Sequence, residues 1–537
     1  MKRMSSGVGF VKCSAIRKLA PVAGVTIRLR VRSAPDPMPT RFALILAFLG
    51  CLCSFPQSKS PGFTVTPEVR GALDSIRADA LRGDLSFLAS DLLEGRNTPS
   101  RGLDIAAEYI AAQFRGAGLE LGGDDGYFQT ARMAVLEPDL TGFELALSHA
   151  GRVLKVEPSA AALNVTTALE LDGAPVFKVD VEDDQFVESL TAPQLDGKVV
   201  LVEIRRSAGR NLRVALRKLG DAKPAAVILL DPAGATGRPS REGQLMDPET
   251  PRRATPWITL TGQSAAAFYG SLKAGASGAT ATIHVAAPRQ SPVRLRNVIG
   301  ILRGSDASLK DTCMLVTAHY DHLGEDPNAK GDRIYNGAND DGSGVVTVIE
   351  LARALASLKE HPRRSIVFMT FFGEEKGLMG SRYYARHPAW PLEKTIAQLN
   401  FEQVGRTDST EGKQLSNATL TGFDYSDLSN YLERAGELTG IKVYKNSRNS
   451  DLYFTASDNE PLADVGVPST TLAVAFDFPD YHGVGDEWQK IDYDNMAKVD
   501  RAAALMLIML ASSDQPPHWN AANPKAAPFL KARQAHR

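Results

Sequence analysis

Apolar residues recur at helical spacing through residues 67–120. PEVRGALDSIRADALRGDLSFLASDLL carries the pattern, and RGLDIAAEYIAAQFRGAGL repeats it before stopping at Gly116 and Gly118, where glycine ends a helix. EGRNTPSRG between them reads as a loop. From about 136 to 290 the texture changes to short β-like runs with turn residues. GKVVLVEI (197–204) and AAVILLD (225–231) are buried-strand candidates, with the basic helix NLRVALRKLG between them. PWITLTGQSAAAFYGSL (256–272) reads as a strand followed by a helix.

From about 291 strands and helices alternate. NVIGILRG, CMLVTAH, SIVFMTFF, IAQLNFE and STTLAVAF read as strands. GVVTVIELARALASL, YSDLSNYLERAGELTG and DNMAKVDRAAALMLIML read as helices. Continuous Val, Ile and Phe runs between helices predict an α/β sandwich, its sheet covered on both faces. The chain thus divides into a targeting region (1–55), an N-terminal helical part of the main domain (67–135), an inserted small β-rich domain (136–290), the main α/β domain (291–513) and a tail (514–537) expected to be flexible.

Composition adds exclusions. The 537 residues carry a formal net charge of −1, which gives no reason to expect nucleic acid as a partner. FALILAFLGCLC (42–53) follows Arg41 and has the layout of a signal-peptide apolar segment, too short for a confident membrane span. Met38 is a candidate start for a compact signal. FLGC weakly resembles a lipobox, with Phe48 at the usual Leu position, which makes Cys51 a candidate lipid anchor; a plain cut near Ser54 is the alternative. Either way the chain is expected to be exported, secreted or periplasmic. The four cysteines are Cys13, Cys51, Cys53 and Cys313. A mature chain that starts beyond Cys53 keeps one and forms no internal disulfide.

The chemistry lies in the second half. TAHYDHLG, NGANDDGSG, FFGEEKG, LNFEQVG and DYHGVGDEW place His319, Asp340, Glu375, Glu402 and His482 as candidate metal ligands, with Glu374 beside the third. Nitrogen and carboxylate donors without thiolate suit zinc or a similar ion in an open, catalytic site. Two His and three carboxylates exceed one tetrahedral zinc and fit two metals sharing a carboxylate. Asp321 is placed to accept the other ring N–H of His319, and His322 is the competing nitrogen. Asn, Asp and Ser before VVTVIELA also suit a helix cap, a role open to Asp341 while Asp340 faces the metals. Paired Glu after a buried strand is costly without a cation nearby. With metals present, one Glu can bind and the other can serve as general base.

The strings AHYDHLG, NGANDDGSG, FFGEEKGLMGS, LNFEQVGR and DYHGVGDEWQKID resemble the co-catalytic dizinc exopeptidases of the aminopeptidase Y and glutamate carboxypeptidase type, the bacterial secreted members most of all. The resemblance covers roughly residues 75–510. It implies an α/β/α sandwich with a mixed, mainly parallel sheet and two zinc ions per chain. His319 and Glu402 would hold one zinc, Glu375 and His482 the other, and Asp340 would bridge them across a cis Asp340–Asp341 peptide. Glu374 would be the base and Asp321 would orient His319. Residues 136–290 resemble the protease-associated (PA) domain inserted in many members, a weaker match. Two departures stand out. Many members have Asp where this chain has Glu402, and many have Ser-Asp-His where it has Ser457-Asp458-Asn459. The resemblance implies an aminopeptidase acting on peptide or protein N-termini. Three alternatives remain: a carboxypeptidase, for which Arg406 and Arg448 are candidate carboxylate binders; a one-zinc glutaminyl-cyclase-like enzyme; and a receptor-like protein without activity. The oligomeric state is open.

Overall fold

The computed structural model describes residues 63–232, 244–250, 255–327, 329–407 and 413–535. The targeting region and the Cys51 anchor site lie outside them. Four apolar runs form the parallel centre of one sheet. In spatial order they are Ser365–Phe371, Cys313–His319, Thr395–Phe401 and Ser469–Ala473. Every residue in these four strands is buried, which is why their sequences lack polar alternation. The polar exceptions satisfy one another. Thr317 Oγ1 donates to Asn400 Oδ1 at 2.7 Å, and Gln398 Nε2 donates to Thr317 Oγ1 at 3.0 Å.

Antiparallel strands extend the sheet on both sides. Arg289–Leu302 pairs with Ser365–Phe371, Phe128–Glu137 follows, and Gln244–Met246 forms that edge. Asn417–Leu420 lies beyond Ser469–Ala473, with Lys442–Val443 outside it. The helices Ala78–Leu88, Arg101–Gly116, Ser343–Ala356 and Tyr493–Ser512 pack their buried residues into one core. The opposite face of the sheet packs Leu315, Val367 and Met369 against Tyr384, Trp390 and Leu462. The expected sandwich is what forms.

A second sheet is built from residues 144–285. Its eight strands run 152–155, 144–149, 275–285, 169–179, 199–203, 226–231, 257–261 and 161–164 in space. Its two faces carry separate cores, around Leu201 and Ile228 on one side and Val200 and Val227 on the other. Within the same stretch, Gln244–Met246 leaves this sheet and joins the first.

The segment after residue 513, expected to be flexible, is instead packed. Trp519 is buried and donates its indole N–H to the Gly466 carbonyl at 3.0 Å. Phe529, on the helix Ala527–Ala535, lies against Trp519 and Phe454. Polar and proline-rich composition hid these anchors. Burying one large aromatic contributes about 1.5–3 kcal/mol, which offsets ordering of a short stretch. No helix among the described residues is long and apolar enough to cross a membrane.

Candidate metal centre

The register of the parallel strands sets the site. His319 is the last residue of its strand and pairs with Phe371, so Phe372-Gly373-Glu374-Glu375 continues alongside it. Glu402 follows directly after Phe401. Ligand sites at the C-terminal edge of parallel strands are a general property of open α/β sheets. The strand ends therefore deliver His319, Glu374, Glu375 and Glu402 to one place.

Asp340 arrives from the segment before the Ser343–Ala356 helix. The Asp340–Asp341 peptide is cis. Asp341 Oδ1 accepts from Gly344 N at 3.0 Å, the capping role expected of it, while Asp340 turns to the cleft. Its backbone is held by a residue the sequence reading did not single out. Asp486 accepts the amides of Asn339 and Asp340, each at 3.0 Å. Asp486 sits inside the DYHGVGDEW string, but neither spacing nor strand position marks it.

Asp340 lies between two groups of donors. His319, Asp340 and Glu402 offer ligand atoms within 4.8 Å of one another, with His319 Nε2 3.3 Å from Asp340 Oδ1. On the other side His482 Nε2 lies 3.1 Å from Asp340 Oδ2 and 3.4 Å from Glu375 Oε1. His322 is on this side too, with Nδ1 2.9 Å from Glu375 Oε1 and 4.0 Å from Asp340 Oδ2. Reading His322 as a rival of His319 is corrected here: the two rings face different ends of the cluster. The backbone turns between them because Tyr320 N donates to Phe371 O and His322 N donates to Arg96 O. Gly337, at φ +56°, leaves room for the His322 ring. A Cβ there would meet the ring at 2.4 Å.

Asp321 is fully buried and ties three groups together. Its Oδ1 lies 3.5 Å from His319 Nδ1 and accepts Glu374 N at 3.0 Å, and its Oδ2 accepts Thr98 Oγ1 at 3.0 Å. His319 Nδ1 is also 3.1 Å from the Asp321 carbonyl. Arg96 is the second residue missed in sequence. Its buried guanidinium donates to the carbonyls of Leu88, Tyr320, Asn336 and Gly337. Burial lowers its pKa to about 10, so it remains charged. Only its place in the loop EGRNTPSRG hinted at a role.

Electrostatics show what the cluster lacks. Burial pushes Glu374 well above the usual carboxylate range; His319 pulls it down, and Glu375 and Glu402 push it further up. Burial takes Glu402 up to about 7, against the pull of His319. For Glu375, burial and Asp340 are outweighed by His322 and His482, which hold it at about 2. His482 is raised to about 10 by Asp340 and Glu375, against burial. Yet His319 Nε2, Asp340 Oδ2 and Glu375 Oε1 are buried and make no well-directed hydrogen bond. Close approach without alignment means that these lone pairs point at shared positions. Uncompensated buried charge costs several kcal/mol per ion. Divalent cations between the groups satisfy both the charge and the lone pairs, so the residues fit metal.

Beside Glu402 a small pocket opens. Thr421, Thr471, Ala473 and Ala475 line it together with Tyr453 and Tyr481. Asn459 does not reach it. Its Oδ1 accepts from Thr471 Oγ1 and its Nδ2 donates to the Phe454 carbonyl, so it braces the pocket wall from behind. Arg406 is engaged by Asp480 at 3.2 Å and stands over the Phe478 ring.

Residues 297–507 match the model of peptidase family M28. The aminopeptidase YwaD of Bacillus subtilis (strain 168) is 31% identical over 178 residues, which are 33% of this chain and 35% of that protein. A probable zinc metalloprotease of Pyrenophora teres f. teres (strain 0-1) is 36% identical over 122 residues, 22% of this chain and 25% of that protein. The matched stretches thus span about a quarter to a third of these curated relatives. An aminopeptidase from Aneurinibacillus sp. strain AM-1 shares the fold, with a TM-score of 0.52 at 20% identity, over 82% of this chain and 95% of that one.

Proposed function

We propose that the chain is an exported dizinc exopeptidase that removes N-terminal residues from peptides. The observation that carries this reading is the sharing of Asp340 between two donor groups, with Glu374 unshared beside them. His319, Asp340 and Glu402 would hold one zinc, and Asp340, Glu375 and His482 the other. His482 is favoured over His322 because it approaches Asp340 and Glu375 almost equally, at 3.1 and 3.4 Å, whereas His322 is off-centre at 4.0 and 2.9 Å. The pair of ions would polarise the scissile carbonyl and lower the pKa of water.

The protein's own groups supply the rest. Glu374 is raised in pKa and so suited to take a proton from the attacking water and hand it to the leaving amine. Its backbone N–H is fixed on Asp321, which also steadies His319. Among the described residues, none that lines the pocket beside Glu402 is Lys or Arg, which suits the end of a peptide that carries an ammonium rather than a carboxylate. Residues 136–290 are read as a PA-like insert and residues 1–55 as the export signal, with Cys51 as a candidate lipid site.

One observation favours the carboxypeptidase reading. Arg213, on the insert's basic helix, is near enough to Tyr453, which lines the pocket, to lower that phenol's pKa against burial, and a guanidinium there could meet a carboxylate. Peptides blocked at one end separate the two readings. An aminopeptidase cleaves C-amidated but not N-acetylated substrates, and cleavage that survives N-acetylation overturns the proposal. The same preparation, assayed on aminoacyl reporters before and after chelation, should contain two zinc per chain and lose turnover when stripped. One zinc per chain would favour the cyclase-like alternative.

A further inference from the structure

Within the stretch 136–290, residues 244–249 reach back to the main sheet. Gln244–Met246 pairs antiparallel with Ala134–Leu136 as the outermost strand. Leu245 is buried in the main core. It lies where a Cβ on Gly373 would be 3.6 Å from its side chain. Gly373, at φ +66°, is the residue before Glu374. Two residues further on, Asp247 is buried and ion-paired with Arg386. Glu249 then pairs with His387 at 2.8 Å.

Arg386 and His387 close the helix Met379–Arg386, which starts immediately after the glutamate loop. That helix is tied to the loop by Met379 N donating to Gly373 O and Gly380 N donating to Phe372 O, each at 2.9 Å. The segment 244–249 therefore lies against the start of the Glu374 loop through Leu245, and meets the helix behind it through the Asp247–Arg386 ion pair and the Glu249–His387 contact. Gly373 is enclosed by Met379, Thr98 and Leu245, so Leu245 is one of the three side chains that bound the turn before Glu374.

We infer that residues 244–249 form a positioning element for Glu374, with Leu245, Asp247 and Arg386 as its working parts. This rests on Glu374 being the general base. It gives the insert a part in the chemical step, separate from any part in choosing substrate. Misplacing a base by a fraction of an ångström lowers the rate of the chemical step while leaving ground-state binding alone.

The test measures kcat and KM, zinc content and thermal midpoint for full-length Leu245→Ala, Asp247→Asn, Asp247→Arg, and Asp247→Arg combined with Arg386→Asp. Expected are a fall in kcat of roughly 10-fold or more for the single variants, with KM and zinc content unchanged. The reversed pair should recover most of kcat. Assays run well below each variant's thermal midpoint separate positioning from loss of fold. Full kcat in Asp247→Asn and Leu245→Ala would overturn the inference, as would losses confined to KM or to thermal midpoint. Glu374→Gln is the control. If it stays active, the base assignment fails first; if it is inactive while the Leu245 and Asp247 variants are fully active, only the positioning role fails.

Discussion

Two sheets in this molecule end parallel strands in carboxylates, with opposite results. In the inserted sheet Glu203 is the last residue of its strand and is held by Arg205 at 2.7 Å, and Arg205 also takes Glu182 at 2.7 Å. In the main sheet the strand ends present Glu374, Glu375 and Glu402, and the groups facing them are imidazoles and other carboxylates. Charge is settled locally at Glu203 and left open at Glu374, Glu375 and Glu402. A carboxylate at a strand end therefore reads as a candidate metal ligand where no Arg or Lys among the described residues pairs with it.

The contrast can be broken or sharpened by experiment. The largest effect is expected from Glu374→Gln, which should lower kcat about 10²–10⁴-fold with two zinc per chain retained. Parallel loss of metal would make Glu374 a ligand and erase the distinction between bound and free glutamate. Next, His482→Ala should reduce zinc to one per chain, whereas His322→Ala should keep two, read by metal analysis after equilibrium dialysis. The reverse result would reassign the second site.

A smaller effect concerns pH. Glu402 has a folded pKa of about 7 against an ordinary value of 4.5. A raised carboxyl holds its proton longer when folded, so stability falls as pH rises from about 4.5 through 7. The zinc-free protein should show this decline in thermal midpoint, and the zinc-loaded protein should not, because the cation favours the ionised carboxylate. Identical slopes would mean that Glu402 meets no metal. The smallest effect belongs to the other sheet. Arg205→Ala breaks a half-exposed pair and should cost about 0–1 kcal/mol, with turnover and zinc content untouched. A loss of metal there would deny the contrast altogether.

The legible parts of the sequence were those governed by short range. Continuous apolar runs gave the central strands, and the residues just after them gave His319, the glutamate pair and Glu402. NGANDDGSG already held the division of labour in which Asp341 caps and Asp340 faces the cleft. What stayed hidden depends on distant partners. The side on which His322 lands is set by the Arg96 carbonyl and by space at Gly337. Asp486 matters through amides 146 and 147 residues away. Leu245 looked like part of the insert because six of the second sheet's eight strands lie between it and its partner Val135 in sequence, and the other two follow it. Trp519 finds its place only once Gly466 and Phe454 are folded.

The bracing of Asp340 has a consequence for the timing of biosynthesis. Its loop is held from one side by Arg96, made early, and from the other by Asp486, made late, beside His482. A nascent chain still short of residue 482 contains the strand-end donors but neither the late histidine nor the carboxylate that fixes the shared aspartate. Under the proposed function, a growing polypeptide carries an unfinished blade, and cutting power arrives only when translation of the domain is nearly done.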